Sequence, residues 1–496
     1  MIITVKGEIK PYYLETLAMT FFPGEKFSPE DGDKRADAEV IDGDDGVRAA
    51  VSLTLPDGRT ETASSYEAWR ADGRDRTRKV AAGRAFFEAA SRLTGYRPPW
   101  GTMTGVRPSK LMSEFLARGM TAEEAEREMD RAFLTLPEKS SLAAAVAGAE
   151  SELIGKDQKK KCSVYVAIPF CPTRCAYCSF VSYASPGLLK LIPEYLDALT
   201  RDIEFTGSLI RDLGLEVSSV YVGGGTPTIL DPDQLDVLLS KLGPLAAGAG
   251  EFTLESGRPD TITEEKLRRA VFHGVDRISV NPQTLNGDVL KIIGREHTVD
   301  DFYRAFDTAR RAGVKNVNVD LIAGLPGDTA ESFRRSFDGI AALRPENVTV
   351  HTFAVKKSAQ FRADGADVYD REGESASESV SYARRTAEDA GYRPYYMYRQ
   401  KNTAGNLENV GYSLPGHEGM YNVYIMEEIH SIFACGASSV TKFVADLGGV
   451  KKDIVRIFEA KYPYEYLRAR ENGQSDAARE KLRQDAFAFY GGHGLL

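Results

Sequence analysis

The chain has 496 residues, 42% of them hydrophobic and 27% charged, with a formal net charge of −9, an ordinary balance for two or three globular domains with sizeable cores. That charge argues against general attraction to nucleic acid, and no apolar run approaches the roughly 18 residues of a membrane span. Five cysteines in so long a chain do not make a disulfide scaffold, and the start Ile2-Ile3-Thr4-Val5 is too short for a signal sequence, so reduced thiols and a cytoplasmic location are expected.

The first 155 residues predict an accessory α+β domain. Ile2–Val5 and Val47–Leu55, with the Pro56-Asp57-Gly58 turn, suggest a small antiparallel element. Helices follow around Arg76–Leu93, Ser109–Ala117 and Ala122–Phe133. Glu67 to Arg97 carries eight basic against four acidic residues, which reads as a solvated helix face. The polar stretch Gly155-Lys156-Asp157-Gln158-Lys159-Lys160-Lys161 suits a linker.

From residue 160 to 355, short β-branched runs alternate with amphipathic helical patterns. Strands are expected at Ser163–Ile168, Ser218–Val222, Phe252–Glu255, Arg277–Val280, Val317–Leu321 and Val348–Thr352. Helices are expected at Leu188–Leu213, Asp233–Leu245, Thr263–His273, Val299–Ala312 and Ala330–Leu343. This is the pattern of repeated βαβ units in a parallel sheet. In barrels of this kind functional loops lie at the C-terminal ends of the strands. Cys171-Pro172-Thr173-Arg174-Cys175-Ala176-Tyr177-Cys178 follows the first strand, and Gly223-Gly224-Gly225-Thr226-Pro227 the second. Glu255 ends the third, Asn281-Pro282-Gln283 follows the fourth, and Asp320 lies on the fifth before Gly324-Leu325-Pro326-Gly327. All the polar candidates thus fall on one rim.

The cysteine triplet is the strongest chemical signal. Three neighbouring thiolates bind soft metals or iron–sulfur clusters. Zinc would want a fourth ligand nearby, whereas no histidine precedes the triplet and the next is His273. A [4Fe–4S] cluster held by three cysteines keeps one iron open to another ligand. Cys162 and Cys435 sit in apolar contexts and read as core residues.

Residues 356–496 predict an α/β extension: a helix over Glu372–Gly391, a tyrosine-rich strand over Tyr392–Arg399, a strand-like run at Tyr421–Met426 and another at Ile432–Val440. This part is expected to cover the barrel mouth or build a substrate pocket.

Tyr165-Val166-Ala167-Ile168-Pro169-Phe170 running into the triplet, the Gly223–Thr228 loop, Gln283, Arg295 and Asp320–Gly327 together resemble the radical S-adenosylmethionine (SAM) enzymes, in the branch of oxygen-independent coproporphyrinogen III oxidase. The long N-terminal part, Pro98-Pro99-Trp100-Gly101 and Gly105-Val106-Arg107-Pro108-Ser109-Lys110 look most like its HemZ-type coproporphyrinogen dehydrogenases. The resemblance implies a partial (β/α)6 TIM-like barrel and one [4Fe–4S] cluster on Cys171, Cys175 and Cys178. SAM would chelate the open iron and be cleaved by an electron from the cluster to a 5′-deoxyadenosyl radical. By the same resemblance Tyr165 and Tyr177 lie beside cluster and SAM, and Gly224, Gly225 and Thr226 meet the methionine part. Glu255, Gln283, Arg295 and Asp320 contact SAM's polar groups, and Ala354 and Val440 correspond to adenine or second-ligand contacts. An external low-potential donor such as flavodoxin or ferredoxin is implied. The sequence departs from the classical oxidases at Phe180, where they carry a further cysteine and the haem-chaperone relatives do not.

Two functions follow from the resemblance. One is oxidative decarboxylation of coproporphyrinogen III to protoporphyrinogen IX in haem biosynthesis, for which Arg107, Lys356, Arg393, Arg399 and Lys401 are candidates to grip propionates. The other is haem binding or trafficking, with His351, His417 and His430 as candidate axial ligands. Radical modification of another tetrapyrrole or of RNA is a third, with the basic Glu67–Arg97 stretch as its only hint.

Overall fold

The computed structural model describes the chain except residues 106, 156–157, 179–181, 355–372, 401–402, 448–451 and 471–473. Phe180, Lys356 and Lys401 therefore lie outside the described residues, as do Val106, Lys156 and Asp157.

An N-terminal four-stranded sheet has the order β1 (Ile2–Lys6), β2 (Arg35–Asp42), β3 (Gly46–Thr54), β4 (Thr60–Ala68). It is antiparallel except that β1 runs parallel to β2. One face alternates strictly, Ala36, Ala38 and Val40 inward on β2, and packs with Leu14, Leu17 and Phe21 of the helix Pro11–Phe21 and Phe86 and Phe87 of the helix Arg74–Thr94. Four of the basic residues of that second helix are drawn into ion pairs, Arg76 with Asp72, Arg78 with Asp42, Lys79 with Asp75 and Arg84 with Glu67, so the expected solvated face is largely self-neutralised.

The main sheet has eleven strands. Its centre is the expected run, β5 (Lys161–Ile168), β6 (Glu216–Gly224), β7 (Glu251–Leu254), β8 (Arg277–Ser279), β9 (Asn316–Ala323) and β10 (Asn347–Thr352), parallel and in chain order. The helices Ile192–Asp212, Pro232–Ala246, Glu264–Phe272, Val299–Arg311 and Ala330–Leu343 connect them. This is an incomplete (β/α)6 barrel. The connecting helices begin where side chains cap them: Asp231 with Gln234 and Thr298 with Asp301 form reciprocal capping boxes, satisfying backbone donors that would otherwise be orphaned.

The C-terminal residues do more than cover the mouth. β11 (Arg393–Arg399) and β12 (Glu408–Ser413) continue the sheet antiparallel beyond β10, while β13 (Ser431–Cys435) pairs parallel with β5 and leads to β14 (Val440–Asp446) and β15 (Lys452–Phe458) at the other edge. The run Tyr421–Met426, expected as a strand, is part of a helix, Met420–Glu427. Tertiary contacts decide it. The Met420 amide donates to Glu251 Oε2 at 2.6 Å, and Arg277 Nη2 donates to the carbonyls of His417 and Glu418 at 2.9 and 3.1 Å. Glu251 and Arg277 open β7 and β8, so this helix plugs the N-terminal end of the barrel.

The cores part earlier than residue 155. Met112, Phe115, Met129, Leu142 and Val146, from the helices Pro108–Ala117, Ala122–Phe133 and Pro137–Ile154, cluster with Val164, Val166 and Ile168 of β5 and not with the N-terminal sheet. A strap from Tyr96 to Arg107 joins the two units. Along it the Tyr96 hydroxyl donates to Gly405 O at 3.1 Å, Trp100 Nε1 to Glu408 Oε2 at 2.7 Å, and Arg107 to Met426 O.

Candidate functional site

The loops after β5 to β10 enclose a cavity of about 360 Å³. Cys171, Cys175, Tyr177 and Cys178 line one side, and Glu255, Gln283, Arg295 and Asp320 the next. The side formed by β10 to β12 supplies His351, Tyr396, Tyr398 and Asn409, and the plug helix supplies Asn422 and Met426.

The cysteine loop is fastened by the protein's own hydrogen bonds. Its backbone takes hydrogen bonds at both ends, Cys171 N to Tyr183 O at 3.1 Å and Ala176 N to Ile293 O at 3.0 Å. Arg258, only 3% exposed, donates from Nη1 to Thr173 Oγ1 at 2.6 Å and Thr173 O at 3.2 Å, and its other edge is paired with Asp260. Cys171 Sγ is 3.3 Å from Thr226 Oγ1. Burial pushes the Cys171 thiol up, the Thr226 and Ser182 hydroxyls oppose this, and the other two thiols add to it. The second loop fits against the first because it is glycine: a Cβ at Gly225 would lie 2.4 Å from Phe170 O, and Gly224 adopts φ +108°, which favours residues without a side chain.

On the acid side, Glu255 Oε2 accepts from Gly224 N at 3.3 Å. Burial, then the charge of Asp320, lifts its carboxyl to about 7. Asp320 is held by two amides, Asn281 Nδ2 at 2.7 Å and Asn318 Nδ2 at 2.6 Å, and His351 Nε2 stands 3.6 Å from it while Nδ1 meets the Tyr398 hydroxyl at 3.3 Å. Arg295 grips the Tyr177 hydroxyl through Nη2 and Nε at 3.1 and 3.3 Å and Gly257 O at 3.1 Å. Gln283 sits at φ +70°, locked by hydrogen bonds with Asp320 O and Ile322 N. Strain of this kind persists where surrounding structure over-determines it and clusters at functional sites.

Eleven of the fourteen site residues expected from sequence line this cavity: the three cysteines, Tyr177, Gly225, Thr226, Glu255, Gln283, Arg295, Asp320 and Ala354. Gly224 is drawn in through its amide. Tyr165 and Val440 are not. Tyr165 lies next to the lining without being part of it: register pairs it with Tyr221, so the two share one face of the sheet, and its ring is stacked 6.1 Å from both Tyr221, which lines the cavity, and Tyr421. Val440 opens β14 and pairs with Phe458 on the outer hairpin. Among the propionate candidates, Arg399 is buried and donates to Met103 O and Asn406 O; Arg107 is tied to Met426 and Glu428; and Arg393 is exposed at the start of the edge strand. None of these three lines the cavity. His417 bonds Asn316, and His430 bonds Ser163 and Gln158, so of the three candidate axial ligands His351 alone reaches the cavity.

Sequence reasoning missed Arg258, Asn318 and Tyr221, and it put Asn281 on the rim and Tyr396 and Tyr398 on the mouth strand without giving any of the three a role of its own. The signal for the asparagines was the period of two: Asn281 and Gln283 after β8, and Asn318 and Asp320 on β9, are i, i+2 pairs on one side of the chain. Arg258 had no such signal.

The donor set fits a cluster better than a single ion. Among the described residues no three His, Cys, Asp or Glu side chains converge tightly enough to hold one metal ion, whereas thiolates around a cubane bind separate irons. Cys162 and Cys435, on β5 and β13, are fully or nearly buried away from it. Ser279 Oγ and Gln283 Oε1 are buried without partners and line the same cavity, the mark of a site shaped for a polar ligand. Among the described residues no helix is long and apolar enough to cross a membrane.

A sequence profile of the Radical SAM superfamily matches residues 165–339. The chain is 39% identical over 356 residues to the oxygen-independent coproporphyrinogen-III oxidase-like protein HemZ of Bacillus subtilis, covering 71% of each chain. It is 33% identical over 202 residues to the heme chaperone HemW of the same organism, 40% of this chain and 52% of that one. To the oxygen-independent coproporphyrinogen III oxidase of Pseudomonas aeruginosa it is 32% identical over 245 residues, 47% and 51% of the two chains. It thus spans about half the length of these last two relatives. The solved structure of coproporphyrinogen III oxidase (HemN) from Escherichia coli matches with a TM-score of 0.50 at 22% identity, covering 66% of this chain and 73% of that one. Radical SAM proteins use a [4Fe–4S] cluster and SAM. The chain belongs to the radical SAM superfamily, in its family of oxygen-independent coproporphyrinogen III oxidase-like proteins.

Proposed function

We propose that Cys171, Cys175 and Cys178 hold the [4Fe–4S] cluster, that Gly224, Gly225, Thr226, Glu255, Gln283, Arg295 and Asp320 hold SAM beside it, and that the substrate is coproporphyrinogen III. The observation that carries this reading is the shared cavity: thiols from the loop after β5 face the carboxylates and amides of β7 to β9 across a space of about 360 Å³. When bound, the cluster and SAM supply one-electron chemistry able to take a hydrogen atom from an unactivated C–H bond. The protein's residues orient and shield it. Arg258 fixes the cysteine loop through Thr173. Glu255, uncharged below about pH 7, accepts the Gly224 amide and keeps the glycine loop against β7. Asn281 and Asn318 aim both oxygens of Asp320. The tyrosine-rich side from β10 to β12 offers flat surface to a tetrapyrrole.

In the reaction proposed, each of two propionate side chains loses a hydrogen atom, carbon dioxide and one electron to an external acceptor, leaving a vinyl group. A low-potential donor such as flavodoxin or ferredoxin would reduce the cluster. The substrate reading is supported by the 39% identity to a coproporphyrinogen-III oxidase-like relative. A second reading, haem carriage, is favoured by the chaperone relative and by the commitment of Arg107 and Arg399 to backbone carbonyls.

Anaerobic incubation of the reconstituted chain with SAM, reductant and coproporphyrinogen III decides between them. Protoporphyrinogen formed with 5′-deoxyadenosine supports the first. Substrate returned intact, together with a haem Soret band that His351→Ala abolishes, would replace it with the second.

A further inference from the structure

The motifs Pro98–Gly101 and Gly105–Lys110 take no part in the site above, yet the strap that carries them runs along the back of its β11–β12 wall. We infer that Trp100 and Arg107 are positioning residues: the strap holds the wall and floor of the substrate side of the cavity in place, and this is what the N-terminal extension contributes to the chemistry. The inference rests on that cavity being the substrate site.

Side chains on a strand alternate between its two faces. On β11, Tyr398 faces the cavity, as does Gln400 just beyond the strand's end, so the intervening Arg399 faces the strap; on β12, Asn409 faces the cavity and Glu408 the strap. Arg399 and Glu408 are cross-strand partners in register, 4% and 0% exposed. The strap supplies part of what each needs. Arg399 Nη1 donates to Met103 O at 2.7 Å and Gly105 O at 3.4 Å, with its guanidinium 5.3 Å from the Trp100 ring. Glu408 accepts from Trp100 Nε1 and, on its other oxygen, from Lys139 Nζ, each at 2.7 Å. Buried charges that lose partners are strongly destabilising, so the docked strap, with Lys139 on Glu408 and Asn406 O on Arg399, holds the two strands in this geometry.

The floor is held in the same way. Arg107 donates to the carbonyl of Met426 and to Glu428 Oε2, and Met426 lines the cavity. The strap itself is fixed by Gly101, at φ +54°, where a Cβ would lie 1.9 Å from Phe133 O, and by Thr102 N donating to that same carbonyl at 2.7 Å. One short segment therefore touches three pieces of the substrate side, β11, β12 and the plug helix.

Trp100→Phe keeps an aromatic ring but removes the donor together with the second ring of the indole; Arg107→Gln, at a partly exposed site, tests the floor separately. In hydrogen–deuterium exchange on the full chain, Trp100→Phe is expected to speed exchange about tenfold in residues 396–399 and 408–412 and to leave 162–168 and 219–222 unchanged, on the scale of one lost hydrogen bond to a charge. Arg107→Gln should do so in 420–427. Iron and sulfide content, and SAM cleavage without substrate, should stay within about twofold of wild type, while coproporphyrin III, a stable oxidised analogue, binds about tenfold more weakly to Trp100→Phe. Exchange that is unchanged, or raised equally across the sheet, overturns the inference, as does unchanged coproporphyrin III affinity alongside the local change. Failure of wild type to bind coproporphyrin III would refute the substrate reading and leave the exchange pattern to decide the strap.

Discussion

Arg258→Met tests how far the cysteine loop is built in advance. Methionine keeps most of the buried volume and removes the guanidinium, so both bonds to Thr173, at 2.6 and 3.2 Å, are lost together. Hydrogen bonds from a charged donor are worth about 1.5–3 kcal/mol each. Asp260, whose side chain is 28% exposed, returns to water and offsets part of the loss. A net of about 3 kcal/mol is then withdrawn from a loop that the cluster must find ordered, and at 1.4 kcal/mol per tenfold this is about a hundredfold in cluster affinity. Thr173→Val removes the hydroxyl bond and leaves the carbonyl bond, so about tenfold is expected. The assay is anaerobic reconstitution followed by titration with an iron chelator, reading the concentration at which half the iron is lost. If Arg258→Met retains iron as wild type does, the loop is held by something other than Arg258. If Thr173→Val is as damaged as Arg258→Met, the hydroxyl and not the paired grip is what matters.

Cys175→Ala should bind no cluster and cleave no SAM while its far-ultraviolet circular dichroism is unchanged; Cys435→Ser, at a residue buried beside Thr206, should retain both activities. Glu255 gives a pH prediction. Its carboxyl is held up at about 7 against an ordinary 4.5, so its favourable contribution to folding is complete below pH 4.5 and is lost as pH rises through about 7. The apparent melting temperature of the apo-protein should therefore fall more between pH 5.5 and pH 8 in wild type than in Glu255→Gln, and equal slopes would contradict the burial assigned to this acid. Gly225→Ala, whose Cβ would lie 2.4 Å from a backbone carbonyl, should push the glycine loop off the cysteine loop; isothermal titration is expected to show SAM affinity down by an order of magnitude or more, and wild-type affinity would show that the loops can separate at little cost.

The barrel was legible because each βαβ unit writes its own pattern: a short, nearly continuous buried run in Ser163–Ile168, helical spacing in Val299–Ala312, and glycine or proline where they meet. The rim was legible for the same reason, since positions at the ends of parallel strands converge whatever the distances in sequence. What could not be read was anything fixed by a contact between remote segments. The run Tyr421–Met426 has β-forming residues and becomes a helix because Glu251 and Arg277 anchor its start. Arg399 looks like a free cation on a tyrosine-rich strand, and its burial is explained by the carbonyls of Met103 and Gly105 on the strap and of Asn406. Val440 opens β14, one strand beyond β13, and is outside the cavity lining, a placement set by sheet pairing and not by local sequence. Tyr165 has the expected position on β5 and shares the face of its register partner Tyr221, which lines the cavity beside it.

The pairing of β13 with β5, Ser431 opposite Cys162 through Cys435 opposite Val166, ties the strand that precedes the cysteine loop to one about 270 positions later. Contacts of such long range close slowly, and unpaired strand edges exposed in the meantime promote aggregation. During synthesis β5 can pair with β6 early, yet its other edge stays open until nearly nine-tenths of the chain has been made. Cys171 thus emerges from the ribosome long before the sheet that shelters it is finished. Fragments ending before residue 431 should be poorly soluble whatever their catalytic residues, and assembly of the cluster belongs after completion of the chain.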